Sequence, residues 1–408
     1  MYLLTIALVL ALFLLDITLL TLNYRHRTQP IPNNVTDVYN IDDYNKWLDY
    51  TMEKFRISIA GKTINTAILF LMITLNLFPI LRSLTHRITS NTIGSTLLFL
   101  GLYAAIYYVS NLGFNIYQTF NIEARYGFNT TTVKTFISDQ LKGLLLGALL
   151  GGGLVALLLT LYLSLGAGAI FYAWVITMSI ILLMNLLYTR LFIRLFNQLT
   201  PLPKGELYDK SIQLANDLGF EIKKISIMDA SKRSTRINAF FTGFGRFKSI
   251  ILYDTLLEKC STDEIVSVLA HEIGHAKNRD ALKNLLVSAL QIAVYFGLLS
   301  YFLSSEPFAL AFGFESIHYG FAIVLFGILV EPLSILLNIP LSAMSRTAEY
   351  RADACATNAG YGHALCHALK VLARENYANL TPHPLVVSLS YSHPPVSQRI
   401  EAMKLDNL

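Results

Sequence analysis

Long apolar runs alternate with polar stretches along the 408-residue chain. A helix that crosses a bilayer takes about 20 predominantly apolar residues. Runs of that length occur near residues 2–22, 63–81, 93–117, 143–164, 168–194, 284–304 and 319–342. The pattern therefore predicts a mainly α-helical, multi-pass membrane protein with seven transmembrane helices.

Two hydrophilic segments, about 198–283 and 343–408, predict a small α/β domain. Within the first, β-branched and aromatic residues favour strands at 223–229, 237–244 and 249–257, with glycines and a basic turn within 243–248. The chain is thus expected to divide into the ranges 1–197 with five spans, 198–283 with the strands, 284–342 with spans six and seven, and 343–408. We expect the two polar segments to combine into one domain that packs on the membrane helices.

Composition and charge agree with a membrane protein. Only 14% of the residues are charged, whereas a soluble protein carries about a quarter. The net charge of +5 is modest, which favours contact with membrane lipid and gives no reason to expect a nucleic-acid partner. Lysines and arginines concentrate in the loop 24–62 and are absent from 305–318, so both polar segments are expected on the cytoplasmic side.

The sequence His271-Glu272-Ile273-Gly274-His275 carries the chemistry. A capping box, Ser261 followed by Glu264, predicts that a helix begins just before it. Histidines four residues apart on a helix lie on one face, so both imidazoles can bind a single zinc ion. Glu272, beside the first histidine, can accept a proton from an attacking water. The pattern indicates a zinc peptidase.

A catalytic zinc takes a third protein ligand, and Glu349 is the favoured candidate. Glu349 and Asp353 lie four residues apart on a predicted helical segment after the last span. One carboxylate could bind zinc while the other orients a ligand histidine through its free N–H. A solvated helix face with an acidic pair is the alternative. The other rivals as third ligand are His363, His367 and His383, although no glutamate base accompanies them.

His393 lies in a turn made rigid by Pro394 and Pro395. A histidine fixed close to zinc could stabilise the oxyanion that forms during peptide hydrolysis. His393 is therefore a second candidate catalytic residue, beside Glu272.

These motifs together resemble the type I CaaX prenyl endopeptidases, which are integral membrane zinc proteases. Besides the zinc motif, the resemblance rests on an ordered series that covers essentially the whole chain: Ile122–Asn129, Pro201–Pro203, Gly205–Leu207, Ser231–Ser234, Asn238–Phe241, Leu252–Leu256, Leu282–Leu285, Glu349–Asp353 and His393–Ile400.

The resemblance implies a role for each matching residue. His271, His275 and Glu349 would bind one zinc ion, Glu272 would be the base, and His393 would support the transition state. Asp353 would hold a ligand, Asn238 would position the substrate backbone beside a strand edge, and Arg399 would brace the site. It also implies seven tilted helices around a water-filled chamber, with the metal site at the cytoplasmic end.

The implied function is removal of the C-terminal tripeptide from prenylated CaaX proteins or peptides, in the bacterial inner membrane or the endoplasmic reticulum. One stretch departs from the family, because His275–Asp280 is more similar to the bacterial heat-shock membrane protease HtpX. A quality-control protease acting on misfolded or translocation-stalled membrane proteins is therefore an alternative. A transporter or channel with a structural metal is a remote one, since a structural zinc site needs no adjacent base.

Overall fold

The computed structural model describes residues 1–222, 224–242 and 249–405. Helices account for most of this part of the chain, which confirms the mainly α-helical class. Six helical runs are long and apolar enough to cross a bilayer: Tyr2–His26, Ile41–Thr74, Thr92–Glu123, Val133–Leu187, Asp280–Ser304 and Tyr319–Glu375. The protein is therefore an integral, multi-pass membrane protein.

The N-terminal half is a series of helices joined by short turns or π-helical segments. Its helices are α1 (Tyr2–His26), α2 (Ile41–Thr74), α3 (Leu77–Ile88), α4 (Thr92–Tyr117), α5 (Val133–Leu146), α6 (Gly153–Leu165), α7 (Ala169–Leu187) and α8 (Ile193–Phe196).

The C-terminal half combines a small sheet with two long membrane helices and several short helices. Its helices are α9 (Glu206–Asp217), α10 (Asp254–Lys259), α11 (Thr262–Lys277), α12 (Asp280–Ser304), α13 (Glu306–Leu310), α14 (Tyr319–Ala356), α15 (Gly362–Glu375), α16 (Pro384–Ser390) and α17 (Val396–Ala402). Its strands are β1 (Leu199–Pro201), β2 (Lys224–Met228), β3 (Ala239–Thr242) and β4 (Ser249–Tyr253).

The sheet has the order β1-β2-β4-β3, in which β2 and β4 are parallel and the outer pairs are antiparallel. The strands predicted in 223–229, 237–244 and 249–257 are present as β2, β3 and β4. Residue 223 and the predicted turn at 243–248 lie outside the described residues. The prediction of strand beyond Tyr253 was wrong, because the Asp254 carboxylate accepts from the N–H groups of Thr255 and Ser231 and the chain turns into α10.

The second predicted span was also misplaced. The apolar run 63–81 does not form one helix, because α2 ends at Thr74 and Asn76 adopts a left-handed conformation with φ 51°. Asparagine tolerates this conformation better than most residues. The apolar residues after the break belong to α3, where Phe78 and Leu81 are buried.

The domain core draws on segments that are distant in sequence. Leu214, Ile250, Leu269, Leu365 and Ile400 are all buried in one cluster. The same cluster includes residues before the second span, from Val35 to Trp47. The loop that precedes α2 is thus part of the folded domain, which the sequence pattern did not indicate.

Helix α11 crosses α14 at Gly274. A Cβ at this position would lie 2.9 Å from the Cα of Ala352 and 3.0 Å from the Cβ of Cys355. Ala352 is fully buried. The absence of a side chain at Gly274 therefore sets how closely the two helices approach.

We expect Gly274→Ala to destabilise the protein by about 1–3 kcal/mol, because the added methyl group must push α14 away. Thermal unfolding in detergent measures the effect. Gly297→Ala is the control, since a Cβ at Gly297 in α12 meets nothing within 4 Å. Equal unfolding temperatures for the two variants would contradict the close helix contact.

Candidate active site

Helix α11 begins with the predicted capping box. The Ser261 side chain accepts from the Glu264 N–H, and the Glu264 carboxylate accepts from the Ser261 N–H at 2.7 Å. Ile265, Val268 and Leu269 lie on the buried side of the helix. One turn further along, the helix directs His271 and His275 towards α14.

Three candidate metal ligands converge between α11 and α14. The Nε2 atoms of His271 and His275 are 3.1 Å apart. Glu349 places Oε1 3.3 Å from His275 Nε2 and Oε2 3.6 Å from His271 Nε2. Within the described part of the chain, these side chains form the group whose geometry suits a metal ion.

Each histidine is held by a carboxylate on its other ring nitrogen. His271 Nδ1 lies 2.8 Å from Asp353 Oδ1, and His275 Nδ1 lies 3.0 Å from Asp280 Oδ2. A carboxylate at Nδ1 fixes that nitrogen as the donor, so the Nε2 lone pair is available for a metal.

The donor set fits zinc. With both Nδ1 atoms donating, the Nε2 lone pairs of the two imidazoles and the Glu349 carboxylate face one another. The separations between these atoms are close to the roughly 3.3–3.5 Å expected between neighbouring ligand atoms on a tetrahedral zinc. Glu349 Oε2 is buried and accepts no hydrogen bond from the described residues. Such a convergence of acceptors is stable when a cation lies between them, so His271, His275 and Glu349 are suited to hold one.

Burial lowers the pKa of His275, but the hydrogen bonds to Glu349 and Asp280 outweigh it and raise the pKa to about 9. Without a metal, His275 therefore carries a second proton, on Nε2, at neutral pH. A metal must displace this proton when it binds.

Arg399 connects the carboxylates behind the ligands. Its guanidinium donates from Nε to Asp353 Oδ2 at 2.8 Å and from Nη2 to Oδ1 at 2.6 Å. Its Nη1 atom lies 3.3 Å from Glu349 Oε2. Arg399 is 8% exposed, so its positive charge is well placed to offset the two buried carboxylates.

Glu272 lies at the free edge of the sheet. Strand β3 is the last strand in the order, and the Phe241 N–H donates to Glu272 Oε2 at 3.1 Å. Burial raises the pKa of Glu272. A raised pKa brings a carboxylate closer to the pH at which it can both accept and return a proton.

The other two predicted site residues lie on separate segments, His393 beside Glu349 and Asn238 immediately before β3. His393 is exposed, and its Nδ1 lies 2.9 Å from Glu349 Oε1. Asn238 is exposed immediately before β3, where its side chain accepts from the Ala239 N–H at 2.9 Å. Their catalytic and substrate-binding roles stay predictions.

The rival third ligands lie elsewhere. His363 and His367 are exposed on α15, and His383 caps the start of α16. None of the three belongs to the metal group found among the described residues.

Sequence reasoning missed the role of Asp280. This residue is buried at the first position of α12. It contacts His275, and its Oδ1 lies 3.3 Å from Arg351 Nη2. The sequence feature that could have indicated this role is the position of Asp280, five residues after the second histidine, in the stretch that departs from the family.

Two helical histidines, a carboxylate from a second helix and a glutamate beside the first histidine define a metallopeptidase site, here at the end of a membrane helix bundle. A family model described as the CAAX prenyl protease N-terminal region, with five membrane helices, matches residues 21–198. A model of peptidase family M48 matches residues 201–406.

Relatives match most of the chain. The CAAX prenyl protease 1 homolog of Oryza sativa is 38% identical over 77% of this chain and 74% of the relative. CAAX prenyl protease 1 of Saccharomyces cerevisiae is 32% identical over 91% of this chain and 88% of the relative. The crystal structure of S. mikatae Ste24p superposes with a TM-score of 0.93 and 30% identity over 99% of each chain. The chain belongs to peptidase family M48, among the CAAX prenyl proteases.

We expect Asp280→Asn to weaken zinc binding about 10- to 100-fold, because the neutral amide holds the His275 ring less strongly. Titration against a competing chelator measures the change without relying on activity. Asp263→Asn is the matched control, since Asp263 lies exposed in the first turn of α11. An unchanged affinity in Asp280→Asn would show that Asp280 does not orient the ligand.

Proposed function

We propose that this protein is a zinc-dependent membrane endopeptidase that removes the C-terminal tripeptide from prenylated CaaX proteins or peptides. The observation that carries the proposal is the convergence of His271, His275 and Glu349 beside Glu272. This site belongs to a chain matched along its length by CAAX prenyl proteases.

In this proposal His271, His275 and Glu349 hold one zinc ion. Asp353 and Asp280 fix the two imidazoles, and Arg399 offsets the buried negative charge. Zinc in such a site lowers the pKa of the attacking water and polarises the scissile carbonyl.

Glu272 is the proposed base. It takes a proton from the water as the water attacks the peptide carbonyl, and it returns the proton to the departing amine. The Phe241 N–H keeps the carboxylate at the strand edge while it does so. His393, beside Glu349, would donate a hydrogen bond to the oxyanion of the tetrahedral intermediate.

The substrate backbone is proposed to lie along β3. One side of β3 pairs with β4, whereas its other side meets Glu272. A peptide added to this edge would have its scissile bond next to the base, and Asn238 would bind its backbone at the start of the strand. The position of Glu272 supports this geometry.

We further propose seven membrane spans. The helical run Val133–Leu187 contains the predicted span 143–164 and most of the predicted span 168–194. Between them Gly166 has φ 57°, and the flanking helices α6 and α7 pack against each other. A hairpin of two spans accounts for both features.

A water-filled chamber would explain charged groups at membrane depth. Asp16 of α1 pairs with Lys62 of α2, and their side chains are 48% and 42% exposed. Glu331 and Asn338 of α14 are also exposed. Polar groups at this depth usually face an aqueous interior.

The proposed orientation places the metal site on the cytoplasmic side, in the bacterial inner membrane or the endoplasmic reticulum. The basic residues that precede the membrane-spanning part of α2, Arg25, Arg27, Lys46 and Lys54, support this orientation. The ranges 198–283 and 343–408 would form the protease domain, which their shared core supports. The ranges 1–197 and 284–342 would form the membrane region, except for residues 35–47, which pack in the domain core.

Cleavage of a matched peptide pair tests the function. One peptide carries a farnesylated C-terminal Cys-a-a-X sequence, and the other has the same residues without the lipid. We expect the detergent-purified protein to release the tripeptide from the farnesylated peptide alone, and a zinc chelator to stop the release. Equal cleavage of both peptides would contradict prenyl specificity and favour a protease of other membrane proteins.

Glu272→Gln tests the mechanism. The amide cannot accept the proton, so cleavage should fall at least about 10²-fold while bound zinc stays near one per chain. His271→Ala and Glu349→Ala should lose zinc as well as activity. Full activity in Glu272→Gln would refute its role as base, and zinc retention by both ligand variants would refute the ligand assignment.

A further inference from the structure

A cavity of about 660 Å³ lies between α2, α4 and the segment that follows α4. Ile57, Gly113 and Phe114 form its apolar side, and Glu53, Arg56 and Arg125 form its charged side. Small-molecule sites typically enclose about 300–1,000 Å³. The cavity is therefore large enough for a ligand that has one polar end and one apolar end.

The cavity lies at the level of lipid headgroups. From Arg56 to Thr74, α2 rises about 27 Å, close to the roughly 30 Å of a bilayer's hydrocarbon core. The exposed face over this length is largely apolar, with Ile64 and Leu71 among its exposed residues. Arg56 is also exposed and lies at the N-terminal end of this apolar face. It therefore marks the interface between the hydrocarbon core and the lipid headgroups.

This interface is the one nearest the protease domain. The segment after α4 continues to Asn129, which forms a β-bridge with Ser234. Glu123, two residues before Arg125, accepts from Arg236 at 3.1 Å. A ligand in the cavity would thus lie next to the contacts between the membrane helices and the domain that holds the active site.

The charged groups of the cavity are incompletely paired. Arg56 has no hydrogen bond or ion pair with any residue that the structure describes. Arg125 Nη1 lies 2.5 Å from Glu53 Oε1, yet its side chain is 53% exposed. Glu53 Oε2 is buried and receives no hydrogen bond from the described residues. The cavity therefore has two arginines that can bind an anionic group of a ligand. It also has one buried carboxylate oxygen, Glu53 Oε2, that can accept a hydrogen bond from the ligand.

We propose that this cavity binds one glycerophospholipid with a primary ammonium headgroup. The phosphate lies against Arg56 and Arg125, the ammonium donates to Glu53, and an acyl chain follows the apolar wall at Gly113 and Phe114. We choose this lipid because of the charged groups that line the cavity. A trimethylated ammonium has no N–H to donate, so a choline headgroup leaves the Glu53 oxygen unpaired.

Native mass spectrometry of the full-length protein, released from nanodiscs, tests the proposal. The nanodiscs contain equal amounts of phosphatidylethanolamine, phosphatidylcholine and phosphatidylglycerol with identical acyl chains. We expect one retained lipid per chain, with phosphatidylethanolamine favoured over each of the others by about tenfold, the effect of one charged hydrogen bond.

Three variants assign the retention to the cavity. Arg56→Gln should lower retention of all three lipids about tenfold. Gly113→Trp should abolish it, because a Cβ at Gly113 meets nothing within 4 Å and the ring can fill the space. Glu53→Gln should remove the preference for phosphatidylethanolamine but keep a bound lipid. Unfolding temperatures establish that each variant is folded.

Arg25→Gln is the matched control, since Arg25 is an exposed arginine in the last turn of α1 and does not line the cavity. It should retain lipid as the unaltered protein does. The proposal is overturned if phosphatidylcholine or phosphatidylglycerol is retained as well as phosphatidylethanolamine. It is also overturned if Arg25→Gln loses as much lipid as Arg56→Gln, or if Gly113→Trp keeps its lipid.

Discussion

The close contact between α11 and α14 is the constraint on which the active site depends. Gly274 has no side chain, so the helix axis of α11 can approach the backbone of Ala352. His271 and His275 precede and follow the contact region on one helix, while Glu349 and Asp353 flank Ala352 on the other. Their side chains meet because the two backbones do. A wider spacing would separate the candidate ligands however well each helix formed.

This helix contact also brings several negatively charged carboxylates together in a buried site, and neighbouring arginines offset their charge. Glu349, Asp353 and Asp280 are each less than a tenth exposed. Burying several carboxylates together is costly unless cations accompany them. Arg399 pairs with two of them and Arg351 with the third. The Nε2 atoms of His271 and His275, together with the Glu349 oxygen that accepts no hydrogen bond, are suited to hold a metal ion.

The parts of the structure that could be predicted from sequence are those fixed by local pattern. The capping box and the four-residue spacing of the histidines depend on one helix, and α11 has both. The role of Asp280 could not be predicted in this way. The Asp280 side chain contacts His275 because Arg279, between α11 and α12, adopts a left-handed conformation with φ 55°. The break at Asn76 and the burial of Trp47 in the domain core likewise depend on tertiary packing that no local pattern records.

Zinc K-edge X-ray absorption of the purified protein tests the central claim most directly, because it reports the atoms around the metal. The account predicts one zinc per chain with two imidazole nitrogens and carboxylate or water oxygens at about 2.0–2.2 Å, and no sulfur. In His275→Ala the imidazole contribution should fall. A sulfur ligand at about 2.3 Å, or an unchanged spectrum in His275→Ala, would contradict the proposed metal site.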